Sequence, residues 1–96
     1  MNHIAVVPVF SRDDGAAVKQ ATALTPHVVA ICFTSDVPAV DAPLLFVDAP
    51  HESWPTRVER VVQTLKRTER PDRITLVLPE ALAELFADSE VEVATV

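Results

Sequence analysis

Seven oxygen-bearing side chains follow apolar runs in this chain: Ser11, Asp13, Asp14, Asp36, Asp48, Glu52 and Glu80. If those runs are strands, their carboxyl ends gather these groups. Several carboxylates in one place suit a hard divalent cation, which prefers several oxygen ligands. A second reading gives Asp13, Asp14, Glu52 and Glu80 to helix N-termini, where the helix dipole favours negative charge. We adopt the second reading and assign no metal.

Other chemistries find less. His3 and His27 precede apolar runs, whereas His51 follows one, so the three do not converge as the ligands of a zinc centre must. They read as surface or turn residues, with His51 alone at the ligand-binding end. Ser11, Ser35 and Ser53 stand near strand ends, but no Gly-x-Ser-x-Gly elbow surrounds any of them. Ser53 reads as a helix cap. No acid–base pair or activated nucleophile can be assembled, so the expectation is a protein that is not an enzyme, with no catalytic residue and no cofactor. The candidate contacts at the ligand-binding end are Ser11, Asp13, Asp36, Asp48 and His51.

The chain has one glycine, Gly15, beside Asp13 and Asp14. A phosphate cradle needs glycines because backbone N–H groups must approach the anion closely. A lone glycine beside two carboxylates is a poor phosphate site. The single cysteine, Cys32, excludes an internal disulfide and reads as a buried, inert thiol within Val28–Phe33.

The elements that must position these residues are legible. Residues 3–9 form a nearly all-apolar first strand, as expected of a strand covered on both faces, with Pro8 near its end. The first helix runs to about Thr25, with Ala17, Val18, Ala21 and Leu24 on one face. Strands follow at His27–Phe33 and at 43–48. The second helix carries the stripe Trp54, Val58, Val61, Val62 and Leu65, with Arg60, Gln63, Arg67 and Arg70 opposite. Arg73–Leu78 is the fourth strand, and Pro79-Glu80 opens a short third helix with Leu82, Leu85 and Phe86 inward. Val91–Val96 is the fifth strand. This alternation predicts one α/β domain over residues 1–96: a small doubly wound, mostly parallel five-stranded sheet in the order 3-2-1-4-5. The second crossover, residues 34–42 with Pro38, is too short for a covering helix. It is expected to leave apolar surface uncovered on alternate residues of Val28–Phe33 and Leu44–Val47.

Composition narrows the partners. A net charge of −6 argues against nucleic acid. No apolar run approaches a membrane span and no signal peptide is evident, so a soluble cytoplasmic domain is expected. Six of the eight basic residues lie between Arg57 and Arg73. They form either a solvated helix face or a docking surface for an anionic partner, a membrane surface or a nucleotide.

Element order and spacing resemble the universal stress protein fold. The stretches Val6-Val7-Pro8-Val9, Leu45-Phe46-Val47-Asp48-Ala49-Pro50-His51-Glu52-Ser53 and Ile74-Thr75-Leu76-Val77-Leu78-Pro79-Glu80 resemble more closely the soluble C-terminal domain of bacterial amino-acid permease-type transporters. The ATP-binding universal stress proteins carry an Asp at the end of strand one, where this chain has Phe10. They also carry a glycine loop after strand four, where it has Pro79-Glu80-Ala81. The resemblance therefore implies the branch that does not bind nucleotides. It implies a regulatory or interaction domain acting on a transporter or other protein partner. An acidic pair after strand one and Asp48 after strand three also resemble a response-regulator receiver, but Pro79 stands where a receiver needs a hydroxyl. Universal stress proteins often associate through the last strand, so the resemblance implies a homodimer with an edge at Val91, Val93 and Thr95. The alternative is a ligand-sensing module that binds a nucleotide or dinucleotide at the strand carboxyl ends.

Overall fold

An apolar first strand with no polar face belongs in the middle of a sheet, and that is where β1 (His3–Val9) lies. The computed structural model describes residues 2–10, 12–33, 43–46, 54–86 and 91–95. In it β1 pairs in parallel with β2 (His27–Cys32) on one side and with β4 (Arg73–Leu78) on the other. β3 (Leu44–Phe46) extends the sheet beyond β2, and β5 (Glu92–Thr95) extends it beyond β4. The order is β3-β2-β1-β4-β5 with every pair parallel, as the alternation of elements predicts.

Alternation along the strands divides the core in two. On one face Ala5, Val7, Val9, Val28, Ala30, Cys32 and Val77 meet Ala17, Val18 and Ala21 of α1 (Gly15–Leu24). On the other, Ile4, Val6, Ile31, Ile74, Leu76 and Leu78 meet Val58 and Val62 of α2 (Trp54–Thr68) and Phe86. Burying each of those two valines contributes roughly 1.5–3 kcal/mol. The remaining members of the α2 stripe, Trp54, Val61 and Leu65, are half-buried around them. α2 ends where Arg70 takes a left-handed backbone (φ 46°) before Pro71, which cannot continue a helix.

Of four details, Pro8 near the end of its strand agrees with the sequence reading and the other three depart from it. Leu24 and Leu85 are 46% and 56% exposed instead of facing inward. Leu24 occupies the last turn of α1, just before the chain turns at Thr25–Pro26 into β2, and so lies over strand ends. Leu85 is displaced because α3 (Glu80–Ala83) gives way to a tighter 3₁₀ turn at Glu84–Phe86, which turns Phe86 inward. Pro8 is fully buried in the central strand. The carbonyl of its neighbour Val9 accepts from the Phe33 N–H on the β2 side, so Pro8 faces the β4 side. There the β1–β4 register has already ended at Val6–Leu76, and no donor is missed.

The fourth concerns the short crossover, which lies outside the described residues. The α1-side residues of β2 (Val28, Ala30 and Cys32) are buried, because α1 itself covers them. Among the described residues of β2 and β3, the large exposed apolar side chains are Leu45 and Phe46 of β3, at 42% and 59%. Among the described residues, no helix is long and apolar enough to cross a membrane.

Candidate functional site at the carboxyl end of the sheet

β1 stays with β2 as far as Val9–Cys32, but it parts from β4 after Val6–Leu76. The strand order places the topological switch point between β1 and β4, where open α/β sheets form their ligand crevice. Phe10 follows β1 at this end, Phe33 follows β2, Trp54 opens α2 and Phe86 closes the 3₁₀ turn. Their rings meet. Phe10 stacks on Phe33 at 5.3 Å, with 13° between the planes. Trp54 packs edge-on to Phe10 at 4.9 Å and to Phe33 at 6.5 Å. Phe86 lies 5.7 Å from Trp54. Phe86 is buried and the other three are half-buried. Each such pair is worth roughly 0.5–1.5 kcal/mol beyond its buried area. Four of the chain's five aromatic residues are thus gathered at the switch point. The sequence reading missed the cluster. The signal was available, in that one aromatic residue directly follows each of the first two strands and another opens the helix after the third.

The connection from β1 to α1 is held by its own acid. The Phe10 N–H donates to Asp14 Oδ2 at 2.7 Å, so the Asp14 carboxylate reaches back toward β1 and does not cap α1. The single glycine, Gly15, is the first residue of α1 and has no positive φ. Its conformational freedom is unused, and the turn has none of the geometry of a phosphate cradle.

The candidate contacts are distributed as follows. Asp13 is exposed on the 3₁₀ turn Arg12–Asp14, beyond the carboxyl end of β1. Glu80 is exposed at the start of α3. Ser11, Asp36, Asp48 and His51 lie outside the described residues, as do Ser35, Glu52 and Ser53. Among the described residues, no three His, Cys, Asp or Glu side chains are grouped to hold a metal ion. His3 and His27 stand at the amino ends of their strands. Cys32 is buried, and that burial raises its thiol pKa, which favours the protonated, unreactive form.

A polar row occupies the amino ends of β1, β4 and β5. His3 Nε2 and Thr75 Oγ1 are 2.7 Å apart. Thr75 Oγ1 donates to Glu92 Oε2 at 3.3 Å, and Arg73 Nε donates to the same oxygen at 2.6 Å. The Arg73 hydrogen bond is the main cause holding the Glu92 carboxyl below its usual range. At the β5 edge, Val91 and Val93 are half-buried against the α2-side core, while Thr95 is exposed. Comparison with known protein families, with curated proteins and with solved structures gives no match.

Proposed function

We propose that this domain is a non-catalytic regulatory or interaction module, related to the cytoplasmic domains of permease-type transporters and without nucleotide-dependent activity. The observation that carries this reading is the aromatic cluster of Phe10, Phe33, Trp54 and Phe86 at the switch point. Rings that stack on one another occupy the place where a nucleotide-binding relative would present a carboxylate and glycine amides. The only glycine, in an ordinary helical turn, supports the same conclusion. Calorimetry with ATP and magnesium, and with NAD, tests it. The expected result is no saturable heat at millimolar nucleotide. Low-micromolar saturable binding would instead establish the alternative, a nucleotide-sensing module.

The module is further proposed to form a homodimer through β5. Among the described residues β5 pairs only with β4, and an edge strand recruits another strand to satisfy its outer backbone groups. An antiparallel pair about a two-fold axis closes the assembly. Light scattering at micromolar concentration is expected to give twice the chain mass; the monomer mass across that range would refute the dimer.

A further inference from the structure

We infer that the groove between α2 and β3 is the docking site for an extended acidic segment of a partner protein, which adds as a strand to the β3 edge. This inference rests on the interaction-module reading above and names the surface that such a module uses. The groove encloses about 420 Å³, and its apolar lining is Val29, Leu45, Phe46, Val61 and Leu65. Arg57 and Arg60 border it from α2. α2 seats Val58 and Val62 on the central strands, and among the described residues no further helix covers the β2–β3 flank of that face. Leu45, in register with Ile31 of the α2-side core, is 42% exposed as a result.

Three observations select the occupant. The first is charge. Within α2, Arg57, Arg60, Lys66 and Arg67 stand against a single carboxylate, Glu59, in a chain whose net charge is −6. A partner bearing carboxylates is drawn to this face and repelled by the rest of the molecule. A guanidinium carries five N–H donors, so Arg57 and Arg60 can meet a further carboxylate without giving up contacts they already make. The second is the edge. Among the described residues β3 pairs only with β2, and strand addition to such an edge is a recurring mode of peptide recognition. Alternate side chains of an added strand point to opposite faces, so apolar residues at every second position reach Leu45 and Val61, and the carboxylates between them lie at the rim. The third excludes a second copy of this chain. A two-fold interface sets the same patch against itself, which would bring the arginines of both copies together. An anionic membrane surface shares the charge but offers no backbone partner for β3, and a concave groove does not fit a flat bilayer.

The test uses the full chain labelled with ¹⁵N and three probes: a capped peptide of alternating leucine and glutamate, its lysine counterpart, and phosphatidylglycerol vesicles. The acidic peptide is expected to shift the amides of Val29, Leu45, Phe46 and Val61 saturably, and the lysine peptide is expected to shift none. Arg57→Glu with Arg60→Glu should weaken binding at least tenfold, and Leu45→Glu, at an already exposed position, should do the same. The absence of saturable shifts at the groove would overturn the inference. So would equal binding of the lysine peptide, or capture by vesicles without peptide binding. Nucleotide calorimetry is paired with the amides of Phe10 and Phe33, which report the carboxyl end of the sheet and not the groove. Saturable ATP binding with intact peptide binding therefore defeats only the interaction-module reading, and silence of both defeats only the groove.

Discussion

Two apolar regions among the described residues are built in opposite ways. At the carboxyl end of the sheet, Phe10, Phe33, Trp54 and Phe86 satisfy one another ring against ring. On the β2–β3 flank, Leu45 and Phe46 are 42% and 59% exposed, and Arg57 and Arg60 border the groove there. One helix serves both regions: Trp54 at the start of α2 joins the cluster, and Leu65 near its end lines the groove. The first region is defined by side chains packed on one another, the second by apolar side chains exposed beside cationic ones. Contiguous apolar surface bordered by charge is where partner contacts are expected.

Substituting one aromatic residue in each region should expose that contrast most strongly. Phe86 is 2% exposed, so Phe86→Ala should cost about 3–5 kcal/mol in a urea titration. Phe46→Ala, at a residue 59% exposed, should change stability by no more than about 0.5 kcal/mol. Equal losses would mean that the groove is core and not surface.

Much of this architecture was legible in the sequence, because its determinants are local. The apolar run His3–Val9 announces a central strand, and the spacing of Trp54, Val58, Val62 and Leu65 announces a helix with one buried face. The departures arose where the outcome depends on geometry beyond a single element. Leu24 and Leu85 keep the helical period, yet the first lies where the chain must turn and the second where an α-helix tightens into 3₁₀. The aromatic cluster joins residues from four separate elements, and only the strand order brings them together. The candidate polar contacts were the least legible part. Asp13 lies beyond the carboxyl end of β1, but Asp14 is spent on the Phe10 N–H and shapes the turn.

The helix that divides the two regions can be sharpened at its end. Arg70 holds a left-handed backbone that a side chain with a Cβ disfavours. Arg70→Gly should therefore raise stability by about 1 kcal/mol, read as a higher thermal midpoint, without altering either the ring cluster or the groove. A loss of stability would show that the Arg70 side chain contributes more than its backbone costs.

The smallest expected effect concerns the sheet edge opposite the groove. Arg73 holds the Glu92 carboxyl below its ordinary value of 4.5 in the folded state. A carboxyl with a depressed folded pKa stabilises fully above its unfolded value. That contribution is then lost as pH falls from about 4.5 through the depressed value. Both side chains are more than half exposed, so solvent screens the pair and the effect is small. Glu92→Gln should flatten the acid limb of the stability profile slightly and leave the profile near neutrality almost unchanged. An unaltered acid limb would place the acid sensitivity elsewhere.

Trp54 provides the most direct test of the closed carboxyl end, since it is the only tryptophan in the chain and lies within the ring cluster. Its emission can be followed while ATP with magnesium, and then NAD, is titrated to millimolar concentration, with corrections for nucleotide absorbance. The expected result is a spectrum that neither shifts nor quenches saturably, since the rings pack on one another. A saturable change at micromolar nucleotide would contradict it, showing that Phe10, Phe33 and Trp54 open to receive a ligand.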